Sequence, residues 1–219
     1  MNFYSVKKRR GLFDFNITLL LVIVNVICFI LFSIILLINP NFLDYIALKP
    51  ANIINHFYIW TFLTSMFMHA GFFHIFANMI SLLFLGAFTE KIIGKKRYLN
   101  FYLLSGLFAG ISFVALSFIF PSDFNSYAVG ASGALFGLTG LLMVLTPDLS
   151  VYMMFIPIPI KMKYAAPMML VLLWMISSLG NIPIGNTAHL GGFVAGIGYG
   201  FYLRKKYKNK TQYIRQYFH

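Results

Sequence analysis

Residues 17–38 form an uninterrupted apolar run, ITLLLVIVNVICFILFSIILLI, with no charged side chain. As an α-helix at 1.5 Å per residue the run is about 33 Å long, which is enough to cross the roughly 30 Å hydrocarbon core of a bilayer. Only 10% of the residues are charged, whereas about a quarter are charged in a typical soluble domain. Five further apolar segments follow, at about 70–89, 98–120, 132–146, 165–180 and 187–203. The sequence therefore predicts an all-α membrane protein, a bundle of six transmembrane helices.

The basic residues occupy alternate connections between these segments. All of the 17 lysines and arginines except Lys49 lie within residues 7–10, 91–97, 161–163 and 204–215. Positively charged loops are retained on the cytoplasmic side of a membrane, so both termini are predicted to be cytoplasmic. The formal charge of +12 alone would suggest nucleic acid binding, but its placement at segment ends favours the lipid bilayer as partner and no nucleic acid.

This pattern divides the chain into three parts. Residues 1–16 are a basic cytoplasmic N-terminus, residues 17–203 a six-span domain, and residues 204–219 a basic cytoplasmic tail. The first span is too long for the apolar core of a cleaved signal and is followed by no small-residue cleavage site, so it is predicted to be a retained anchor. With no organellar presequence evident, a cell membrane is the expected location.

The fourth span is short. Residues 132–146 give only about 22 Å of helix, less than the thickness of the hydrocarbon core. If the helix ends at the cytoplasmic face, near Pro147 and Asp148, its start at Ser132 lies below the outer face. Loop backbone at that depth must be buried in protein or line a water-filled cavity. We therefore predict a recessed, hydrated pocket that opens at Ser132 toward the outer face.

Two connections are predicted to lie in the membrane interface. The outer loop 39–58 is too apolar to be fully solvated. Residues 151–164 carry Pro157 and Pro159 in alternation, which favours an extended segment over a helix.

Ser132 lies in the small-residue sequence Gly130-Ala131-Ser132-Gly133. Small neighbours leave room for a substrate carbonyl, and the backbone N–H of Ser132 is unpaired at a helix N-terminus. The tetrapeptide alone also fits an ordinary N-cap within a helix contact.

His189 is at the start of the sixth span, and glycines line one face of that span. Glycines at i and i+4 allow two helix backbones to approach closely. They occur beside Ser132 at Gly133 and Gly137, and after His189 at Gly192, Gly196 and Gly200. If these faces meet, Ser132 and His189 are neighbours, as a nucleophile and its base must be. A histidine at a span end can otherwise simply be interfacial.

His74 and Asn78 lie at i and i+4 on one face of the second span. Both can donate hydrogen bonds to a developing oxyanion, or else to a neighbouring helix. His69 is a weaker candidate for lining the same pocket.

The acidic residues limit the chemistry. All five lie at or outside the ends of the predicted spans: Asp14, Asp44, Glu90, Asp123 and Asp148. A serine–histidine dyad is therefore favoured over a triad. The absence of an H-E-x-x-H sequence and of any aspartate within a span argues against zinc and two-aspartate intramembrane proteases. We predict neither a metal nor a cofactor.

Three motifs in order resemble the rhomboid family of intramembrane serine proteases: WTFLTSMFMHAGFFHIFANM at 60–79, GASG at 130–133 and AHLGGFVAG at 188–196. The resemblance covers nearly the whole chain. It implies that Ser132 attacks the scissile carbonyl, that His189 acts as base and then as acid, and that His74, Asn78 and the Ser132 N–H hold the oxyanion. It also implies single-span membrane protein substrates, a membrane-embedded first loop at 39–58, and a substrate gate formed by the fifth span and the loop that caps the pocket.

The chain departs from the family pattern at two positions. Thr61 follows Trp60 where many relatives have arginine, so anchoring of the first loop by that arginine is absent. Phe136 stands one turn after Ser132 where relatives often have tyrosine, and its ring is still expected to stack on His189.

Two other functions remain as alternatives. A catalytically silent relative that binds transmembrane clients is expected to lack the serine or the histidine, and this chain has both. A small transporter or channel commonly carries ionisable groups or broken helices at mid-membrane, and no charged residue lies deep within a predicted span.

Overall fold

The computed structural model describes residues 16–153, 156–180 and 184–218, and most of them are helical. The main helices are α1 (Ile17–Ile38), α2 (Phe72–Ile93), α3 (Lys95–Leu116), α4 (Ser132–Leu145), α5 (Met162–Gly180), α6 (Asn186–Lys206) and α7 (Lys208–Tyr217). Short helices at Pro40–Phe42, Leu43–Ile46, Pro50–His56, Thr61–Thr64, Ser65–Phe67 and Pro121–Phe124 shape the loops between them. Two strands, β1 (Ser150–Met153) and β2 (Ile156–Lys161), lie between α4 and α5.

Four of these helices, α1, α2, α3 and α5, are long and apolar enough to cross a membrane. Large apolar side chains on their outer surfaces are exposed, as at Leu37 of α1 (85%) and Leu179 of α5 (82%). Such an exterior suits lipid and not water. The protein is therefore a multi-pass, mainly helical membrane protein.

α4 is the centre of the bundle. It is an apolar helix of 14 residues, of which ten are buried, and it packs mainly against α3 and α6. The buried side chains of α4 form one core with those of α1, α2 and α3, and Leu138 and Leu141 at its middle are fully enclosed. The residue at the start of α4, Ser132, is therefore held by the most enclosed helix of the fold.

Where polar residues continue a helix, its end lies beyond the predicted span, because hydropathy marks only the apolar part of a helix. α2 continues to Ile93 instead of residue 89, and α3 begins at Lys95 and ends at Leu116 instead of spanning 98–120. Gly94, at φ +84°, makes the turn between them, a conformation that glycine adopts without strain.

Glu90, one of the acids predicted to lie at or outside a span end, is in the last turn of α2 and is only 8% exposed. Its carboxylate accepts hydrogen bonds from the backbone N–H groups of Ile17 (3.1 Å) and Thr18 (2.9 Å) and from the Thr18 hydroxyl (2.8 Å). The first N–H groups of a helix have no partner within the helix and carry partial positive charge. Glu90 therefore caps α1 and joins it to α2.

The segment after α4 is extended, as predicted for 151–164, but it is paired and ends earlier. β1 and β2 form an antiparallel hairpin with Val151 opposite Ile160 and Tyr152 opposite Pro159. α5 begins at Met162, so the last residues of the predicted extended segment are helical. The prediction was wrong there because prolines exclude helix only near their own positions. At the base of the hairpin Asp148 accepts hydrogen bonds from Lys163 (2.8 Å) and Lys161 (3.2 Å).

Replacing Glu90 with alanine is expected to lower the free energy of unfolding by about 1–3 kcal/mol, because the Ile17 N–H and the Thr18 hydroxyl lose their acceptor. The Thr18 N–H keeps the side chain of the N-cap residue Asn16 as acceptor. Thermal unfolding in detergent micelles measures the change. Glu90→Gln keeps an acceptor oxygen and is the matched control, with a smaller expected loss. An unchanged unfolding midpoint in Glu90→Ala would contradict the assignment of Glu90 as a cap.

The hairpin base is expected to loosen in acid. Hydrogen bonds from Lys163 and Lys161 lower the pKa of Asp148 from 3.8 to about 2. Because the pKa is lower in the folded protein, the stabilisation is present above pH 4 or so and is lost as the pH falls from about 4 to about 2. The backbone N–H groups of Met162 and Lys163 are bonded to Leu149 and Pro147, so their hydrogen-exchange protection reports on this base. Protection in Asp148→Asn is expected to be low and independent of pH; a pH dependence equal to that of the wild type would contradict the account.

Candidate active site

The backbones of α4 and α6 are in direct contact at glycines. A Cβ at Gly192 would overlap the carbonyl oxygen of Gly133, and one at Gly196 would overlap that of Gly137. In the other direction, a Cβ at Gly140 would overlap the carbonyl oxygen of Phe193. The spacing of Gly192 and Gly196 predicts their side of this contact, which leaves no room for a side chain there. The predicted face at Gly133 and Gly137 instead points toward α3, where an added Cβ would first meet Ala109 or Ser105.

The contact brings Ser132 and His189 together. Ser132 is the first residue of α4 and His189 lies in the first turn of α6, with its Nε2 2.8 Å from the Ser132 Oγ. His189 is 6% exposed, and its Nδ1 has no hydrogen-bond partner within the described residues. When the serine hydroxyl donates to Nε2, the imidazole proton resides on Nδ1.

Phe136 holds the imidazole from one side. Its ring stacks on His189 with centroids 4.6 Å apart and an interplanar angle of 28°. Phe136 lies one turn after Ser132 on α4, so the same helix carries both the hydroxyl and the ring that orients the histidine. The stacking predicted from the sequence is confirmed.

The chain reaches Ser132 through a constrained turn at Gly130. Gly130 has φ +105°, and a Cβ there would lie 2.8 Å from the His74 Nε2, so two independent restrictions require glycine. The N–H of Gly130 donates to the carbonyl of Ser65 at 2.8 Å. The N–H of Ala131 makes a longer contact of 3.5 Å to the Nε2 of His69, which is buried.

His74 faces this turn. Its Nδ1 accepts a hydrogen bond from the N–H of Ala70 at 3.4 Å, so its proton resides on Nε2, the atom that lies next to Gly130. The rings of His69 and His74 meet edge to face with centroids 5.2 Å apart. The structure therefore gathers His69 and His74 around the two residues that precede Ser132.

Asn78 has no direct hydrogen bond to Ser132 or His189. Its amide nitrogen donates to the carbonyl of His74 at 2.8 Å. Its Oδ1 is buried without a partner in the part of the chain that the structure describes. Of the predicted oxyanion residues, His74 thus lies nearer to the turn before the serine.

A small cavity adjoins the hydroxyl. Its volume is about 40 Å³, and Gly130, Ser132, Gly133 and His189 are among its lining residues. Because one water needs at least roughly 10–15 Å³ by this measure, the cavity is large enough to hold water. A larger apolar groove of about 580 Å³ runs along α5 from Pro167 to Leu179 and reaches Leu190, the residue after His189.

One contact beside the site was not predictable from the sequence. The hydroxyl of Thr187, two residues before His189, donates to the Asp123 carboxylate at 2.7 Å. The two residues are far apart in the chain and neither belongs to a motif, so only the folded structure shows their pairing. Among residues 16–153, 156–180 and 184–218, no three histidine, cysteine or acidic side chains are grouped closely enough to hold a metal ion.

The fold and this region define a class of protein: a multi-pass helical membrane protein in which a serine and a histidine meet inside a buried polar pocket. The family description "Rhomboid domain" matches residues 56–206. The chain belongs to the rhomboid family, as its three motifs predict.

Its relatives include proteins with and without protease in their names. RHOMBOID-like protein 1 of Arabidopsis thaliana is 36% identical over 168 residues, which are 74% of this chain and 39% of that protein. Rhomboid-like protease 1 of Toxoplasma gondii is 28% identical over 174 residues, 74% of this chain and 57% of the relative. Inactive RHOMBOID-like protein 8 of A. thaliana is 33% identical over 140 residues, 63% of this chain and 36% of the relative. The chain spans less than two thirds of the length of each.

The helix contact gives a direct prediction with an internal control. Gly192→Ala forces the backbones of α4 and α6 apart and is expected to lower the free energy of unfolding by about 1–3 kcal/mol. Gly198 lies on the same helix with nothing within 4 Å of the position of an added Cβ. Gly198→Ala is therefore expected to leave stability unchanged or raise it by up to about 1 kcal/mol, as alanine favours helix. Equal unfolding midpoints for the two variants in one detergent would contradict the close contact.

Proposed function

We propose that this protein is an intramembrane serine endopeptidase that cleaves transmembrane segments of membrane proteins with Ser132 and His189. The observation that carries the proposal is the 2.8 Å contact between the Ser132 Oγ and the His189 Nε2. A hydroxyl within hydrogen-bond reach of a base, with the base held by a third group, is the arrangement of covalent acyl transfer. Here the third group is the stacked ring of Phe136.

The reaction follows from this geometry. The Oγ of Ser132 attacks the scissile carbonyl while Nε2 of His189 takes the hydroxyl proton. His189 then gives that proton to the leaving amine, and an acyl-enzyme remains. His189 then takes a proton from a water molecule, whose oxygen attacks the acyl carbonyl. As the bond from that carbon to the Ser132 Oγ breaks, His189 returns the proton to the Oγ, and the new C-terminal carboxyl group is released. No carboxylate is hydrogen-bonded to Nδ1 within the described residues, so the two residues act as a dyad.

The oxyanion is held by donors around Gly130. The N–H of Ser132 lies at the N-terminus of α4, where it has no partner within the helix. The Nε2–H of His74 lies beside Gly130, and Asn78 has a second amide proton besides the one given to the His74 carbonyl. Gly130, Gly133 and His69 shape the pocket around these donors.

The proposed topology has six spans, with α4 recessed. At 14 residues, α4 is about 21 Å long and cannot cross the roughly 30 Å core. With the basic ends of α2, α5 and α6 on the cytoplasmic side, both termini are cytoplasmic and Ser132 opens toward the outer face. Residues 17–203 form the protease domain in a cell membrane, with a basic segment on either side.

The substrates are proposed to be single-span membrane proteins, since their segments can reach the pocket from the lipid without a soluble portion having to unfold. The alternative is a rhomboid protein that binds transmembrane clients without cleaving them, as the name of the inactive A. thaliana relative allows. The hydrogen-bonded Ser132 and His189 favour the protease. The alternative predicts that the wild-type protein binds clients but forms no cleavage product, and that loss of the Ser132 hydroxyl leaves client binding unchanged.

Cleavage of a fluorescent single-span substrate in proteoliposomes tests the proposal. Ser132→Ala and His189→Ala are each expected to lower the rate by at least about 10³-fold, since members of such a unit cannot act separately. Ser122→Ala, at an exposed loop serine, is the matched control and is expected to retain the wild-type rate. Undiminished cleavage in Ser132→Ala would refute the assignment.

A further inference from the structure

The loop between α3 and α4, residues 117–131, is tied to other segments at several points. Leu48 and Ala128 exchange two backbone hydrogen bonds, of 3.2 Å and 2.8 Å. The Tyr127 hydroxyl donates to the Asp44 carboxylate at 2.8 Å, and the N–H of Gly130 donates to the Ser65 carbonyl at 2.8 Å. The part of the loop nearest Ser132 is therefore fixed to segments that precede α2.

The other end of this loop holds the start of α6. The hydroxyl of Thr187 donates to the Oδ2 of Asp123 at 2.7 Å, and Thr187 is only 2% exposed. The N-cap of α6 is Gly185, which has no side chain to satisfy the first turn. The Asp123 carboxylate supplies negative charge at that helix N-terminus, where it is electrostatically favourable.

Thr187 and His189 point to opposite sides of the first turn of α6. Residues two apart are separated by about 200° around a helix with 3.6 residues per turn. Thr187 faces the loop at Asp123, while His189 faces Ser132. The glycine contacts with α4 begin at Gly192, one turn later. The first turn of α6 is thus located by two hydrogen bonds on opposite sides, one of which involves the reacting pair itself.

We propose that Asp123 and Thr187 are positioning residues that set the rotation of the first turn of α6 and thereby aim His189 Nε2 at the Ser132 hydroxyl. The inference rests on the proposed protease function. Because Nδ1 of His189 has no hydrogen-bond partner within the described residues, the Phe136 stack and the position of the His189 backbone determine how the ring meets the Ser132 hydroxyl. A displacement of about 1 Å between reacting groups can cost 10²-fold in rate.

The experiment measures kcat and KM for the single-span substrate in proteoliposomes, together with the rate of covalent labelling by a fluorophosphonate probe. Thr187→Val preserves shape and removes the donor, and is expected to lower kcat and the labelling rate at least about 10-fold with KM changed less than about twofold. Thr187→Ser keeps the hydroxyl and is expected to stay within about twofold of wild type. Combining Thr187→Val with Asp123→Ala is expected to add little to the loss in either single variant, because both remove one interaction.

Thr146→Val is the matched control. Thr146 is a fully buried threonine at the far end of α4 whose hydroxyl donates to the Leu142 carbonyl of its own helix at 3.0 Å. Loss of the Thr146 hydroxyl is expected to leave kcat near the wild-type value. If Thr146→Val and Thr187→Val lower kcat equally, the effect is general destabilisation and the positioning role is wrong.

The outcomes separate the two proposals. Cleavage that depends on Ser132 but is unchanged in Thr187→Val refutes the positioning role and leaves the protease function standing. A wild-type protein with no cleavage and no labelling dependent on Ser132 refutes the protease function, and the positioning role with it. Ser132-dependent cleavage with a kcat-specific loss in Thr187→Val and recovery in Thr187→Ser supports both.

Discussion

The close contact between the backbones of α4 and α6 is the constraint on which the rest of this structure depends. Side chains normally keep helix axes 8–10 Å apart, and the glycines Gly140, Gly192 and Gly196 remove that spacing where the two helices meet. Ser132 and His189 are each at the start of one of these helices. The distance between the Ser132 Oγ and the His189 Nε2 therefore follows from how closely the two backbones can approach.

Hydrogen-bond satisfaction is the second requirement, because an unpaired polar group in a lipid-surrounded fold costs several kcal/mol. The few acids of this chain are used accordingly. Glu90 accepts the first N–H groups of α1, Asp123 accepts the Thr187 hydroxyl at the start of α6, and Asp148 binds the lysines at the base of the hairpin. Asp44 accepts from Asn52 and from Tyr127 in the loops that follow α1 and α3, and these bonds lower its pKa. Each acid in the described part of the chain thus joins two segments, and none contacts His189 directly.

Hydropathy and residue spacing predicted much of this arrangement, but they could not predict side-chain contacts between residues that are far apart in the sequence and belong to no motif. The apolar runs located the long helices because a membrane span must be apolar over its whole length, but their ends were misplaced where polar residues continue the helix, as at Glu90. The meeting of Ser132 and His189 was predictable because each lies beside its own run of regularly spaced glycines. The pairing of Asp123 with Thr187 was not, since the two are 64 positions apart and neither spacing nor hydropathy relates them. Asn78 was predicted from helical periodicity to share a face with His74, and the structure shows its amide bonded back to the His74 carbonyl.

The central claim is that the contact of two glycine-lined helices makes one hydroxyl nucleophilic. Mass spectrometry of peptides from protein treated with a fluorophosphonate in lipid nanodiscs tests this claim most directly, because the adduct marks the activated residue. The account predicts a single adduct on Ser132 that is lost in a folded His189→Ala variant. An adduct on another serine, or one on Ser132 that forms equally fast without His189, would contradict it.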